Sequence, residues 1–379
     1  PWGAGALFSI RRGQGDDRGL RTAAGHAFLL IAGVTAVLTA AVYLLLDGIL
    51  RFLQIPPALY APMREYLAII FAGLAGTFFY NFFACLLRAV GNSVAPLWFL
   101  GAAALLNVGL DLLFVLVFRW GVAGAAATVI AQTLSGAGLA AYTWRRCREL
   151  LPLPGEFRLE GAVFRELWGL SSLTCLQQCA MNFGILLIQR LVDSFGPVTM
   201  AAFAAGVKID AFAYLPVQDF GNAFSTFVAQ NYGAGQSERL RRGFRRAMVL
   251  SLGFACLLSA AAAGFAEPLM GLFLQPEETA VLAAGVRYLR IEGAFYPGIA
   301  CLFLLYGIYR AVRRPGMSVV LTVLSLGTRV ALAYALAGPV GESGIWWAIP
   351  IGWFLADAVG LGYYFRHRRT LLPDRRSEE

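Results

Sequence analysis

Apolar runs of about 20 residues follow one another along almost the whole chain, and each run ends at charged residues or at a glycine- or proline-containing turn. A run of about 20 apolar residues is long enough to cross the hydrocarbon core of a bilayer as an α-helix. The runs lack the strict alternation of barrel strands, the other structure that satisfies its backbone in lipid. The pattern therefore predicts an all-α polytopic membrane protein with ten complete spans, at residues 24–46, 65–88, 95–117, 121–143, 167–192, 198–228, 245–266, 286–309, 317–337 and 344–365.

The composition agrees with this reading, because 59% of the residues are hydrophobic and only 14% are charged. In soluble domains about 45–50% of the residues are apolar and about 25% are charged. The net charge of +9 does not indicate nucleic-acid binding, because the arginines cluster in short connections between apolar runs. If the loop at 145–166 is cytoplasmic, 23 of the 31 basic residues fall on that side and 6 on the other, as the positive-inside rule requires. We expect a multi-pass protein of a bacterial plasma (inner) membrane, with both termini cytoplasmic when intact.

Candidate catalytic chemistry is sparse. The cysteines form no CxxC pair, and His26 and His367 lie near predicted membrane edges, away from any intramembrane site. An intramembrane prenyl transferase would need paired aspartates to hold magnesium, but the adjacent pair Asp16–Asp17 lies in a surface loop. The sequence therefore favours a protein that is not an enzyme and has no cofactor.

The chain repeats itself at a spacing of about 220 residues. Residues 9–21 resemble residues 229–241, and the Arg88–Ala89 pair recurs as Arg310–Ala311. Transporter folds are commonly built from such duplicated bundles. The second copy holds two spans before Gly233, whereas the first copy holds only the nine-residue stretch from Pro1 to Ser9. This predicts two parallel six-helix repeats with twelve spans when intact, the first two lying outside this chain.

Three segments carry a family resemblance: VKIDAFAYLPVQDFGNAFSTFVAQNYGAGQ at 207–236, LLNVGLD at 105–111 and LLYGIYRAV at 304–312. They resemble the multidrug and toxic compound extrusion (MATE) family, and the resemblance extends along the whole chain. It implies two six-helix lobes around a central cavity that rock between inward-open and outward-open states. It also implies a secondary antiporter that exports organic, often cationic, compounds in exchange for Na⁺ or H⁺.

The expected organisation follows from the spans and from this resemblance. The partners would be a small organic molecule, Na⁺ or H⁺ as the coupling ion and the lipid bilayer, with no nucleic acid, and the protein would be monomeric. We expect an N-terminal lobe at 1–144, a cytoplasmic linker at 145–166, a C-terminal lobe at 167–366 and a cytoplasmic tail at 367–379.

The candidate coupling site consists of Asn107, Asp111 and Thr128. Asn107 and Asp111 are four residues apart and so share one helix face. Thr128 lies on the next predicted helix, beyond two glycines that permit close approach. Oxygen ligands of this kind suit a hard cation, and a lone carboxylate can instead carry a proton. The resemblance places first-lobe cation ligands at these positions, together with an aspartate on the first helix of the full fold.

The candidate substrate contacts lie in the second lobe. Gln178 and Asn182 belong to a polar stripe along one helix, and Glu292 shares a face with Tyr296 and other aromatics, which suits an organic cation. Some relatives carry acidic residues on the seventh and tenth helices of the full fold. Those positions fall at or beside Gln178 and near Ile299, neither of which is acidic, so a second-lobe cation site would depend on Glu292.

Four further charged residues lie within the predicted spans: Lys208, Asp210, Asp219 and Arg329. Charge at membrane depth costs about 2.5–3.5 kcal/mol on insertion scales, so each residue needs a partner or a function. Ion pairing between helices and a role in conformational control both fit.

Two alternatives remain open within the membrane-transport class. A lipid-linked oligosaccharide flippase of the same superfamily would share the fold and the repeat, and a basic cavity would favour it. An inactive truncated fragment is the other.

Overall fold

The structure is a computed structural model that describes residues 2–52, 56–152, 159–275 and 277–371. The part of the chain that it describes is almost entirely helical and contains no β-strand. Arg158 and most of the predicted tail at 367–379 lie outside the described residues. The α-helices are α1 (Trp2–Gly13), α2 (Asp17–Phe52), α3 (Pro57–Ala72), α4 (Leu74–Ala89), α5 (Val94–Leu112), α6 (Ala126–Arg146), α7 (Gly161–Asp193), α8 (Pro197–Gly233), α9 (Ser237–Gly264), α10 (Ala266–Gly271), α11 (Thr279–Gly293), α12 (Tyr296–Ala311), α13 (Pro315–Val340) and α14 (Glu342–Leu371).

Local sequence signals explain many of the helix ends. Proline occupies the first turn of α3, α8, α12 and α13, where its missing N–H breaks no helical hydrogen bond. A π-helical turn, Leu113–Val117, extends α5, and a 3-10 turn, Gly121–Ala125, leads into α6.

The predicted all-α membrane fold is confirmed. By length and composition, the described residues contain nine helices that could cross a membrane, or ten if the bent pair of α11 and α12 is one span. Nine of the ten predicted spans fall within these helices or the bent pair, and the predicted span at 245–266 extends two residues beyond the end of its helix at Gly264. The bend between α11 and α12 is 49°, whereas the sequence pattern at 286–309 predicted one uninterrupted helix. Gly293 and Pro297 flank the break, and each residue type weakens a helix interior.

The chain divides into two compact units, Pro1–Trp168 and Gly169–Glu379. In the first unit, α4 packs closely against α6. A Cβ atom on Gly136 would stand 2.8 Å from the carbonyl oxygen of Gly76 and 2.9 Å from the backbone nitrogen of Tyr80. Small residues at such crossings let backbones approach and maximise van der Waals contact, the main attraction between helices in lipid.

In the second unit, α12 is the central element. Nearly all of its residues are buried, and it packs against α8, α9, α13 and α14. Its contact with α8 again uses glycines, since a Cβ atom on Gly307 would stand 2.7 Å from the carbonyl oxygen of Gly221.

The repeat is visible in the backbone of the turns. Gly15 and Gly235 both adopt left-handed conformations, with φ of 71° and 67°, and so do Gly121 and Gly341, with φ of 57° and 71°. Each pair is 220 residues apart. The two units therefore reverse the chain at equivalent positions.

Candidate functional site in the second unit

A cavity of about 260 Å³ lies within the second unit and is lined by residues of α7, α8, α11, α12, α13 and α14. Three of its lining residues are charged: Asp210 on α8, Glu292 on α11 and Arg329 on α13. Apolar side chains such as Ile185 and Phe303 form most of the remaining wall. A few charged groups are thus held in a mostly apolar pocket within membrane-spanning helices.

Close packing of α8 against α11 brings the first of these charges to its partners. A Cβ atom on Gly206 would overlap the ring of Tyr288, so the ring lies directly against the α8 backbone. Asp210 follows Gly206 by one helical turn and therefore lies on the same face. Trp346 supports the Tyr288 ring from α14, with ring centroids 4.9 Å apart.

Two tyrosine hydroxyls hold Asp210. Tyr288 donates a hydrogen bond to its Oδ2, and Tyr296 donates to its Oδ1 at 2.5 Å. Both carboxylate oxygens of Asp210 therefore accept a hydrogen bond from a neutral donor.

Glu292 has a different environment. Its side chain is only 7% exposed, and within the described part of the chain its Oε2 has no hydrogen-bond partner. The Tyr288 hydroxyl lies within reach of Glu292 as well as of Asp210, but it has a single hydrogen to donate. A buried carboxylate that lacks a donor is unfavourable. A bound proton or cation at Glu292 would remove this cost.

Arg329 completes the charged group. Its guanidinium interacts electrostatically with both Asp210 and Glu292. Its Nε atom is buried and has no hydrogen-bond partner among the described residues. With both carboxylates ionised the three side chains sum to one negative charge, so the group has the capacity to take one proton or one monovalent cation.

The structure brings together four of the residues singled out from the sequence: Asp210, Glu292, Tyr296 and Arg329. Lys208 is exposed and lies 5.7 Å from the Phe273 ring centroid, outside this cavity.

Three other candidates also lie away from the cavity. Asp219 is exposed, as are Gln178 and Asn182. The polar stripe of α7 does not face this cavity, because α7 contributes Met181 and Ile185 to its wall. These two residues are offset from the stripe by three positions and therefore lie on a neighbouring face of α7.

In the first unit the predicted coupling residues are partly assembled. The Asn107 side-chain amide donates a hydrogen bond to Thr128 Oγ1 at 3.2 Å, which joins α5 to α6. Asp111 is half-buried one turn further along α5, immediately before the π-helical turn. Turns of this kind often occur at functional sites. The described residues contain no cluster of three or more His, Cys, Asp or Glu side chains that could hold a metal ion.

Two residues of interest were missed in the sequence. Tyr288 was not among the candidate site residues predicted from the sequence. Asp357 on α14 is 6% exposed, and its carboxylate lies beside the Cys301 thiol of α12. The rule that charge within a span needs a partner or a function would have identified Asp357, because it lies in the middle of the last apolar run.

Comparison with known proteins gives the family. A model described as MatE matches residues 2–113 and 174–335, which is more than half of the chain. The probable multidrug resistance protein YpnP of Bacillus subtilis (strain 168) is 28% identical over 360 residues, covering 94% of this chain and 80% of that protein. The probable multidrug resistance protein NorM of Thermotoga maritima is 23% identical over 354 residues, covering 91% of this chain and 75% of that protein.

Solved structures show the same fold. The crystal structure of MATE in complex with MaL6 superposes with a TM-score of 0.93 at 19% identity, covering 98% of this chain and 84% of that one. The repeated helical fold, with nine or ten candidate spans among the described residues, and these similarities define a multi-pass membrane transporter. The chain belongs to the MatE family of MATE transporters.

Proposed function

We propose that the protein is a secondary antiporter that exports organic, often cationic, compounds in exchange for Na⁺ or H⁺ by alternating access. The observation that carries the proposal is the buried Glu292 carboxylate, which shares one tyrosine hydroxyl with Asp210 and leaves its Oε2 without a protein donor. Reversible binding of a proton or cation there would supply the coupling step. We further propose that transport occurs across a bacterial plasma (inner) membrane; the bacterial sources of the relatives support a bacterial protein.

The size of the cavity indicates what binds in it. Pockets that enclose drug-sized molecules measure about 300–1,000 Å³, whereas this cavity measures about 260 Å³. It is large enough for an ion with its water, or for one cationic group of a larger molecule. We therefore assign Glu292 and Asp210 to cation or proton binding in the second unit. The cluster of Asn107, Asp111 and Thr128 is the corresponding candidate in the first unit.

The charge of the cavity also separates this proposal from the flippase alternative. A carrier of lipid-linked pyrophosphate needs excess positive charge where the anion binds, because a buried anion requires cationic or hydrogen-bonding partners. This cavity has two carboxylates against one guanidinium. Its sign favours a cationic ligand.

The test is transport by protein reconstituted into liposomes, with Na⁺ and H⁺ gradients imposed separately. Glu292→Gln keeps the shape of the side chain but removes its ability to bind and release a proton or a cation. We expect gradient-driven export of a fluorescent organic cation to fall by about tenfold or more, a loss of about 1.4 kcal/mol of coupling. Glu267→Gln, the same change at an exposed site of α10, is the matched control. Wild-type export rates in Glu292→Gln under both gradients would refute the assignment of Glu292.

A further inference from the structure

A second feature of the same unit is a groove of about 690 Å³ formed by α9 and α14. Its polar lining consists of three arginines, Arg241 and Arg245 from α9 and Arg368 from α14. Its remaining lining is apolar or aromatic, and none of the described residues that line it is acidic. The groove is therefore partly cationic and partly apolar, and it is separate from the cavity that holds Glu292.

The order of residues along the two helices gives the groove a direction. On α9, Arg241 and Arg245 are one turn apart on the same face, and Met248 follows them towards the middle of the span. On α14, Leu361 comes first and Arg368 stands seven residues later, near the end of the helix. The Phe244 and Tyr364 rings connect the helices, with centroids 4.6 Å apart. The basic end of α9 thus meets the basic end of α14, and the apolar parts of both extend into the span.

The opposite side of α9 differs in its charge balance. There Glu238 forms an ion pair with Arg242 at 3.0 Å, within a separate cavity that also contains Arg239 and Arg246. In the groove, Arg245 and Arg368 are exposed, and within residues 2–371 as described the lining contains no carboxylate to balance them. Like charges that line one groove repel one another, so an anion between them would lower the free energy of the groove.

We propose that this groove binds an anionic phospholipid. The phosphate lies between Arg245 and Arg368, and an acyl chain follows the apolar floor along Met248 and Leu361. Basic clusters at the ends of membrane helices attract anionic headgroups, at about 1 kcal/mol per Lys or Arg near the surface. A free phosphate would make no use of the apolar floor. A zwitterionic lipid would bring its own cationic group close to the arginines. We therefore expect free phosphate and a zwitterionic lipid to bind more weakly than an anionic phospholipid.

The test uses the purified full chain in detergent, titrated with dioctanoyl-phosphatidylglycerol and followed by native mass spectrometry. Because each arginine contributes about a fivefold factor in affinity, Arg245→Gln combined with Arg368→Gln should weaken binding about 25-fold. The control pair, Arg239→Gln with Arg246→Gln, removes the same charge near the opposite cavity and should change binding by less than about threefold. Met248→Gln, which makes the apolar floor polar, should also weaken binding.

Three outcomes would overturn the proposal. Equal losses in the two double variants would mean that the lipid responds only to the general positive charge of α9. Equal affinity for dioctanoyl-phosphatidylcholine would remove the requirement for an anion. Competition by glycerol phosphate at the same concentrations as the lipid would mean an anion site in which the apolar floor has no role. Retained binding by the Arg239→Gln/Arg246→Gln control, with loss only in the groove variants, is the expected result.

Discussion

The α4–α6 crossing in the first unit offers a direct test of the packing. Gly136 is buried, and the atoms nearest to its missing Cβ are backbone atoms of α4, the Gly76 oxygen at 2.8 Å and the Tyr80 nitrogen at 2.9 Å. Backbone atoms cannot rotate away as a flexible side chain can. We therefore change Gly136 to Ala, the smallest side chain that creates the conflict.

The expected magnitude follows from these distances. Ordinary contacts of a Cβ atom begin at 3.4 Å, so α4 and α6 must separate by about 0.6 Å to admit the methyl group. A gap of 0.5–1 Å forfeits about a quarter to a half of each dispersion contact across the crossing. Overpacking of this kind costs about 1–3 kcal/mol, and the gain in helix propensity from Gly to Ala, about 1 kcal/mol, offsets part of it.

The assay is thermal unfolding of the detergent-solubilised protein, followed by tryptophan fluorescence. We expect Gly136→Ala to lower the apparent Tm by a few degrees relative to Gly101→Ala. Gly101 is the matched control because it lies on α5 in the same unit and no heavy atom stands within 4 Å of the position that its methyl group would occupy. An apparent Tm for Gly136→Ala equal to or above that of Gly101→Ala would refute the close packing of α4 and α6.

Two further predictions concern coupling and topology. Asp111→Asn should retain substrate binding by reconstituted protein but lose export driven by a Na⁺ or H⁺ gradient, because the amide cannot exchange a charge; Asp193→Asn, an exposed aspartate, is its control. Unchanged gradient-driven export in Asp111→Asn would leave Glu292 as the remaining candidate. In a cysteine-free background, an impermeant thiol reagent added to intact cells should label Val340→Cys and leave Gln236→Cys unlabelled, because five arginines follow Gln236 within the next ten residues. Labelling of Gln236→Cys from outside would reverse the predicted orientation.

The membrane spans could be predicted from the sequence because the bilayer imposes a length and a polarity on every helix. Nine of the ten apolar runs correspond to single candidate spans and the tenth to the bent pair of α11 and α12, and glycine and proline turns indicated their approximate ends. The break between α11 and α12 was missed, since an apolar run reads the same whether the helix is straight or bent by 49°.

The candidate site was harder to predict from the sequence than the membrane spans. Asp210 and Tyr288 are 78 residues apart in the chain, and their contact depends on the packing of α8 against α11. Periodicity within a helix indicates which residues share a face, but it carries no information about the neighbour of that face. For the same reason the α7 stripe containing Gln178 could be recognised as polar, while its position relative to the cavity could not.

The left-handed turns have a consequence for how the two halves have diverged. Arg313 adopts a φ of 59° at the place where the first repeat has Gly91, at 91°. That conformation costs a residue with a side chain about 1–2 kcal/mol, yet the chain reverses there as it does in the first half. The repeat thus retains the path of the backbone more strictly than the residues that suit it. The side chains at equivalent positions differ in chemical type, since the counterparts of Asn107 and Asp111 are Arg329 and Ala333. A duplicated scaffold has in this way given rise to two halves with ionisable groups of different kinds.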